Sequence, residues 1–225
     1  MSSSRATARS DDITLVGDRR APSKGERQRQ AILDSLAELL VTRPIGDLTV
    51  GEIASAAGVR RSGYYFYFES KYTALAVVTS EIWSELMDRV QLFSRAENET
   101  AADFVRRTSS AAVEVWHAHD AVLIASIQAI PLDEQIASMW RVWNERLARI
   151  LTEQIRTDIE TGLARPVSPD VSVVVSTLLE MTLHMFYKDR LDKCSEQQTQ
   201  RMLDTVSSIW LASVWGEPSP PVEPN

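Results

Sequence analysis

Arg60 and Arg61 are adjacent, and Ser62, Tyr64, Tyr65 and Tyr67 follow them closely. Guanidinium groups grip guanine edges or phosphates through paired N–H donors, and serine and tyrosine hydroxyls reach phosphate oxygens. The chemistry that these types support together is nucleic-acid recognition. Arg60 and Arg61 are the strongest candidates, with Ser62 and Tyr64 next. Other chemistries have weaker support. His117 and His119 are two apart, so on a helix they diverge and make a poor metal pair. His184 stands alone in an apolar stretch and reads as a hydrogen-bonded core or pocket histidine. Cys194 has no nearby histidine to activate it, and no glycine-rich phosphate loop is present. No catalytic residue, metal or cofactor is expected.

The arginines need a scaffold, and residues 48–71 describe one. Thr49 is a good helix N-cap, and Glu52 three residues later completes the capping-box spacing. Val50, Ile53, Ala54 and Ala57 then share a helical face. Gly58 suits the left-handed conformation that ends a helix, and a second helix is expected to start near Arg60 to Ser62. Helix, glycine turn and a helix opening on basic residues make the pattern of a helix-turn-helix. Upstream, residues 23–41 form a helix with Ile32, Leu33, Leu36, Leu39 and Leu40 inward, stopped at Arg43-Pro44. Phe68 follows the recognition helix and reads as core. Ser70 caps a long helix to about Phe93 carrying Leu75, Val78, Ile82, Leu86 and Val90 or Leu92. A polar loop over 95–100 follows. Further helices are expected over 101–116, 119–130, 132–162, 170–189 and 195–215, with Pro131, Gly162 and residues 166–169 as breaks. There is no strand-like alternation and no internal repeat.

The fold class expected is all-α with about nine helices. Residues 1–22 read as a disordered arm, 23–69 as the helix-turn-helix domain, 70–216 as a larger helical domain and 217–225 as a proline-rich tail. A chain of 225 residues, 44% apolar, is long enough for both domains. The net charge of −7 is unevenly placed: residues 1–72 balance at +2 and residues 73–225 at −9. Only one face of a small domain must be positive to meet phosphates, so the local sign decides. Arg5, Arg9, Arg19 and Arg20 lie among three aspartates and read as a solvated tail more than a DNA-binding arm. No apolar run is long enough to span a membrane, and no apolar signal core opens the chain. One cysteine suits a reducing cytoplasm, the expected location.

The segment resembles the DNA-binding signature of TetR-family transcriptional regulators. The matching pieces are Ile53-Ala54, Ala57-Gly58-Val59, Tyr65-Phe66-Tyr67-Phe68 and Ser70-Lys71. The Phe66-Tyr67-Phe68 run and residues 203–217 are similar to a mycobacterial branch of that family, which implies a large lipophilic effector. By this resemblance Thr49, Tyr65, Tyr67 and Lys71 position phosphates. Three positions depart from the family pattern. Arg60 stands where Ser or Thr is frequent, Gly63 where Thr is frequent and Glu69 where Pro is frequent, which leaves the operator sequence open. The resemblance also implies a small-molecule pocket in the larger domain, whose soft and aromatic residues supply Phe104, Trp116, Met139, Trp140, Trp143, Met181, His184 and Met185 as wall candidates. It implies a homodimer through the last two helices, with Val171, Val175, Leu178, Met202, Val206, Ile209 and Trp210 at the interface.

The expected function is a ligand-responsive regulator, read as a repressor, with an activator as the alternative because the choice depends on where the operator lies relative to a promoter. It binds palindromic double-stranded operator DNA as a dimer and is released by a hydrophobic effector. The rival is a small-molecule sensor with little or altered DNA specificity, which Gly63 and Glu69 favour.

Overall fold

Ser23 sets the start of the first helix. Its hydroxyl accepts from the Glu26 N–H while the Glu26 carboxylate accepts from the Ser23 N–H, a reciprocal cap for α1 (Lys24–Leu40). The computed structural model describes residues 23–216. The expected arm, with Arg5, Arg9, Arg19 and Arg20, and the expected tail lie outside the described residues. α1 buries Ile32, Leu33, Leu36 and Leu40, positions that recur with helical period. A 3-10 turn, Ile45–Asp47, leads to α2 (Val50–Ala56) and α3 (Arg61–Tyr67), which pack on α1 and on each other. The core of this head is Ile32, Leu33, Leu36, Ile45, Leu48, Ile53, Tyr64 and Phe68.

α4 (Lys71–Asp88) leaves the head and packs on α1, α6 and α7. The body then adds α5 (Ala101–Ala118), α6 (Asp120–Ala129), α7 (Glu134–Glu160), α8 (Val171–Leu191) and α9 (Glu196–Trp210). Among the described residues there are nine α-helices and no strand, and no helix is long and apolar enough to cross a membrane.

Two elements differ from the sequence pattern. α4 stops at Asp88, short of the expected Phe93, because Arg89 leaves the helical region at φ −79°, ψ 57°. Residues Val90–Phe93 form a 3-10 turn instead, whose Leu92 carbonyl accepts from Arg107 Nη1 at 3.0 Å and from the Thr108 hydroxyl at 3.1 Å. The last helix widens at Leu211–Trp215 into a π-helical turn. The carbonyls of Ser213 and Val214 accept from the N–H groups of Val167 and Arg165, at 2.9 and 3.0 Å, and Gly216 closes the turn at φ 68°.

A buried ion pair pins three distant segments of the body. The Asp158 side chain, 2% exposed on α7, accepts from Arg95 Nη2 at 2.8 Å, Gln154 Nε2 at 3.1 Å and Trp215 Nε1 at 2.9 Å. Arg95 therefore turns a mostly buried side chain inward from the expected polar loop. Its Nε also reaches both carboxylate oxygens, at 3.1 and 3.2 Å, and its Nη1 donates to the Glu99 carbonyl. Every lone-pair direction of the carboxylate has a donor, the condition under which a buried pair is tolerated. Removing one side is costly because the other stays buried. Asp158→Ala is expected to lower unfolding free energy by about 3–5 kcal/mol in urea titrations, and Asp158→Asn by less, since it keeps an acceptor for Trp215.

Candidate functional site

The helix-turn-helix places Arg60 and Arg61 at the open end of α3. Gly58, at φ 66°, makes the turn, and the Val59 N–H closes onto the Ala54 carbonyl at 2.9 Å. Arg60, Arg61 and Ser62 are all exposed. Arg61 lies over the Tyr65 ring at 5.7 Å and its Nη2 approaches the Tyr65 hydroxyl at 3.4 Å. That stacking holds the guanidinium extended on the outer face of α3. Phe66 is 82% exposed on the same short helix. The sequence reading did not single it out as a site residue, and it lies beside the exposed Tyr65 on the outer face of α3.

Tyr64 faces the other way. It is fully buried, stacks against Phe68 at 5.7 Å and donates its hydroxyl to the Ser70 carbonyl at 3.0 Å. Burial, and then the neighbouring Tyr65, push its phenol pKa upward. Tyr64 is a core residue, and its expected contact with DNA is corrected. Tyr64 and Phe68 are four apart and so share the inner face.

The other phosphate candidates already have work inside the head. The Thr49 hydroxyl accepts from the Glu52 N–H at 3.2 Å and donates to the Glu52 carboxylate at 2.7 Å. Tyr67 donates to Gln28 of α1 at 3.2 Å. Lys71 Nζ donates to the carbonyls of Gly46 and Leu48 at 2.9 and 2.8 Å, which ties the first residue of α4 to the turn before α2. An ammonium carries three N–H donors, so one remains for a phosphate.

The body encloses a narrow cavity of about 80 Å³ between α4, α5, α7, α8 and the end of the chain. Ile82, Trp83 and Leu86 of α4 form one wall, and Phe104 and Trp116 of α5 another. Leu151, Phe186, Trp210 and Trp215 complete the aromatic and aliphatic enclosure, with Thr108, Ser109 and Thr182 as its hydroxyl-bearing residues.

Of the eight wall candidates only Phe104 and Trp116 line this cavity. Trp140 is core, with its indole N–H on the Ser126 hydroxyl at 3.2 Å. Trp143 packs under Arg146 and reaches Ser80, and Met139 faces a shallow polar cleft with Arg29 and Glu81. Met181 is half-buried away from the cavity, and His184 and Met185 are exposed. The expectation was drawn from residue type, whereas facing decides, and α8 is too uniformly apolar for periodicity to show its inner side. Trp215 was missed as a wall because the π-helical turn changes the register in which it faces inward, whereas Trp210, on α9 before that turn, was expected at the dimer interface.

The dimer candidates divide in the same way. Val175, Leu178, Val206 and Trp210 are buried inside the chain, so their expected place at an interface is corrected. Val171 and Met202 are half-buried and Ile209 is 38% exposed.

His117 Nε2 lies 3.7 Å from Asp189, whose carboxylate is already held by Arg190 and Thr199. Burial and the Asp189 charge raise the Cys194 thiol pKa, which keeps it protonated and a poor nucleophile.

Residues 32–75 match the family described as "Bacterial regulatory proteins, tetR family", and residues 105–216 match "Transcriptional regulator EthR, C-terminal domain". The chain belongs to the TetR family of transcriptional regulators. It is 26% identical to the HTH-type transcriptional regulator EthR of Mycobacterium tuberculosis strain H37Rv, over 89% of this chain and 93% of that protein. It is 25% identical to EthR of Mycolicibacterium smegmatis, over 93% and 96% respectively. A TetR-family regulator from Syntrophomonas wolfei shares the fold, with a TM-score of 0.67, 17% identity and coverage of 84% of this chain and 95% of that one. As a TetR-family member the chain is a DNA-binding transcriptional regulator with a C-terminal ligand-binding domain.

One titration is built into the DNA-reading head. The Thr49 hydroxyl, then Arg43 at 2.7 Å, then the Thr49 N–H hold the Glu52 carboxyl at about 2 instead of 4.5. A lowered folded pKa contributes stability that is complete above about 4.5 and disappears as pH falls toward about 2. Glu52→Gln is expected to flatten the loss of head stability across that window, read by circular dichroism during acid titration.

Proposed function

We propose that this TetR-family regulator is a cytoplasmic, homodimeric repressor that binds a palindromic operator and is released by a hydrophobic small molecule. The observation that carries the reading is the double role of α4. Its residues Ile82, Trp83 and Leu86 wall the cavity, while Lys71 at its start is tied to Gly46 and Leu48 of the head. The Arg29–Glu81 pair at 3.5 Å bridges α1 and α4 as well.

A cavity of about 80 Å³ is far below the roughly 300–1,000 Å³ that drug-sized ligands occupy. A ligand of that size binds a wider form of the body better than this one, and that difference in affinity is what shifts the population. Widening displaces the α4 wall, and α4 takes the head with it. In a dimer the spacing of two α3 helices then ceases to match successive major grooves. Val173, Met185, Leu191 and Ile209 are the exposed large apolar residues of α8 and α9 that support a dimer face there. Exposed Arg60, Arg61, Ser62, Tyr65 and Phe66 on one side of the head support sequence reading, with Thr49, Tyr67 and Lys71 at its border positioning phosphates.

Selection from a library of random duplexes tests the DNA reading. A palindromic motif is expected, and a folded dimer that enriches no motif would favour the sensor with little DNA specificity. On the selected duplex, Arg61→Ala is expected to cost about 1–3 kcal/mol of affinity. An unchanged affinity would remove Arg61 from base recognition.

A further inference from the structure

Four indole N–H groups, three of them buried, have acceptors, and a fifth, that of Trp83, has none. Trp140 donates to Ser126 at 3.2 Å, Trp143 to Ser80 at 3.5 Å, Trp210 to Thr182 at 2.9 Å and Trp215 to Asp158 at 2.9 Å. Trp83 is 3% exposed, and its Nε1 is a buried donor with no partner. An edge-to-face stack on Trp140, at 5.4 Å and 83°, fixes its ring plane. Trp83 is also a wall of the cavity, where two of the three other indoles, Trp210 and Trp215, donate to acceptors. An unmet buried donor costs roughly 1–3 kcal/mol, so its retention needs a reason.

The rest of the lining restricts what meets it. No ionisable side chain lines the cavity. Behind the wall, the Asp158 charge is compensated by Arg95. The Thr182 hydroxyl donates to the Leu178 carbonyl and accepts from Trp210, and the Thr108 hydroxyl donates to the Leu92 carbonyl. A carboxylate or ammonium entering here would lose its hydration with no counter-charge to replace it.

We infer that Trp83 is the polarity-selecting residue of the effector site, and that the effector is an uncharged lipophile whose carbonyl-type oxygen accepts from Trp83 Nε1. This rests on the cavity being the effector site. The site discriminates in two ways. A hydrocarbon of the same size leaves the indole N–H unmet, and a free acid must be desolvated without a cation. The other buried polar atom without a partner among the described residues, Asn144 Oδ1, belongs to α7 and is not part of the cavity wall.

Three probes of similar size separate these cases: butyrophenone, pentylbenzene and phenylbutyrate. Calorimetric titration of the full chain and of Trp83→Phe gives the ratio of butyrophenone to pentylbenzene affinity in each. The wild-type ratio is expected to exceed the variant's by roughly five- to tenfold, with phenylbutyrate weaker than butyrophenone at neutral pH. Nitrogen-15 correlation spectra of the wild-type chain supply a second readout that does not depend on the variant folding. The Trp83 indole proton is expected to move downfield with butyrophenone and not with pentylbenzene. Equal ratios in the two proteins, or an indole proton that ignores bound butyrophenone, would overturn the role of Trp83. Pentylbenzene binding with no gain for the ketone would do so while leaving the apolar effector site intact. Failure of all three probes to bind would overturn the effector site itself.

Discussion

The carbonyls of Gly46 and Leu48 at one end of α4, and the cavity at the other, impose a constraint that the rest of the molecule depends on. α4 has to satisfy two cores with one rigid rod. Ala74, Leu75 and Thr79 are completely buried in its first half, and Ile82, Trp83, Leu86 and Met87 in its second. A helix packed along its length has no soft joint, because interiors are close-packed and switch between discrete arrangements. The Lys71 clamp is short in both its bonds and comes from the first residue of the helix. One helix thus carries both a wall of the cavity and a clamp on the head.

Stiffness elsewhere makes that joint effective. The Asp158 cluster locks α7, the segment at Arg95 and the π-helical turn into one frame. Thr182 and Trp210 join α8 to α9 in the same way. α4 packs against α7 of this frame, and its wall residue Trp83 lacks the hydrogen bond that Trp210 and Trp215 possess. The cavity thus combines braced walls with one wall residue whose indole N–H is unmet.

Much of the fold was legible because local chemistry repeated the global plan. The Thr49–Glu52 capping box, Gly58 in the left-handed turn, and the apolar periodicity of α1 agree with one another and with the structure. The site was legible in part. Arg60, Arg61 and Ser62 are exposed as their polarity requires, but Tyr64 needed the four-residue spacing to Phe68 to be read as inward. The cavity walls were hidden for a different reason. Asp158 looks like a surface acid on an amphipathic helix until Arg95, 63 residues away, is placed beside it. Trp215 reaches the cavity from a π-helical turn that resets the register after α9. Long-range pairing and helix irregularity leave little trace in composition or periodicity.

The coupling through α4 is tested most directly by amide hydrogen exchange on the full chain, free and saturated with butyrophenone. The expected result is altered protection at residues 45–48 and in the first half of α4, together with the cavity walls. Protection that changes only in α5, α8 and the end of the chain, with the head and the start of α4 unaffected, would contradict it.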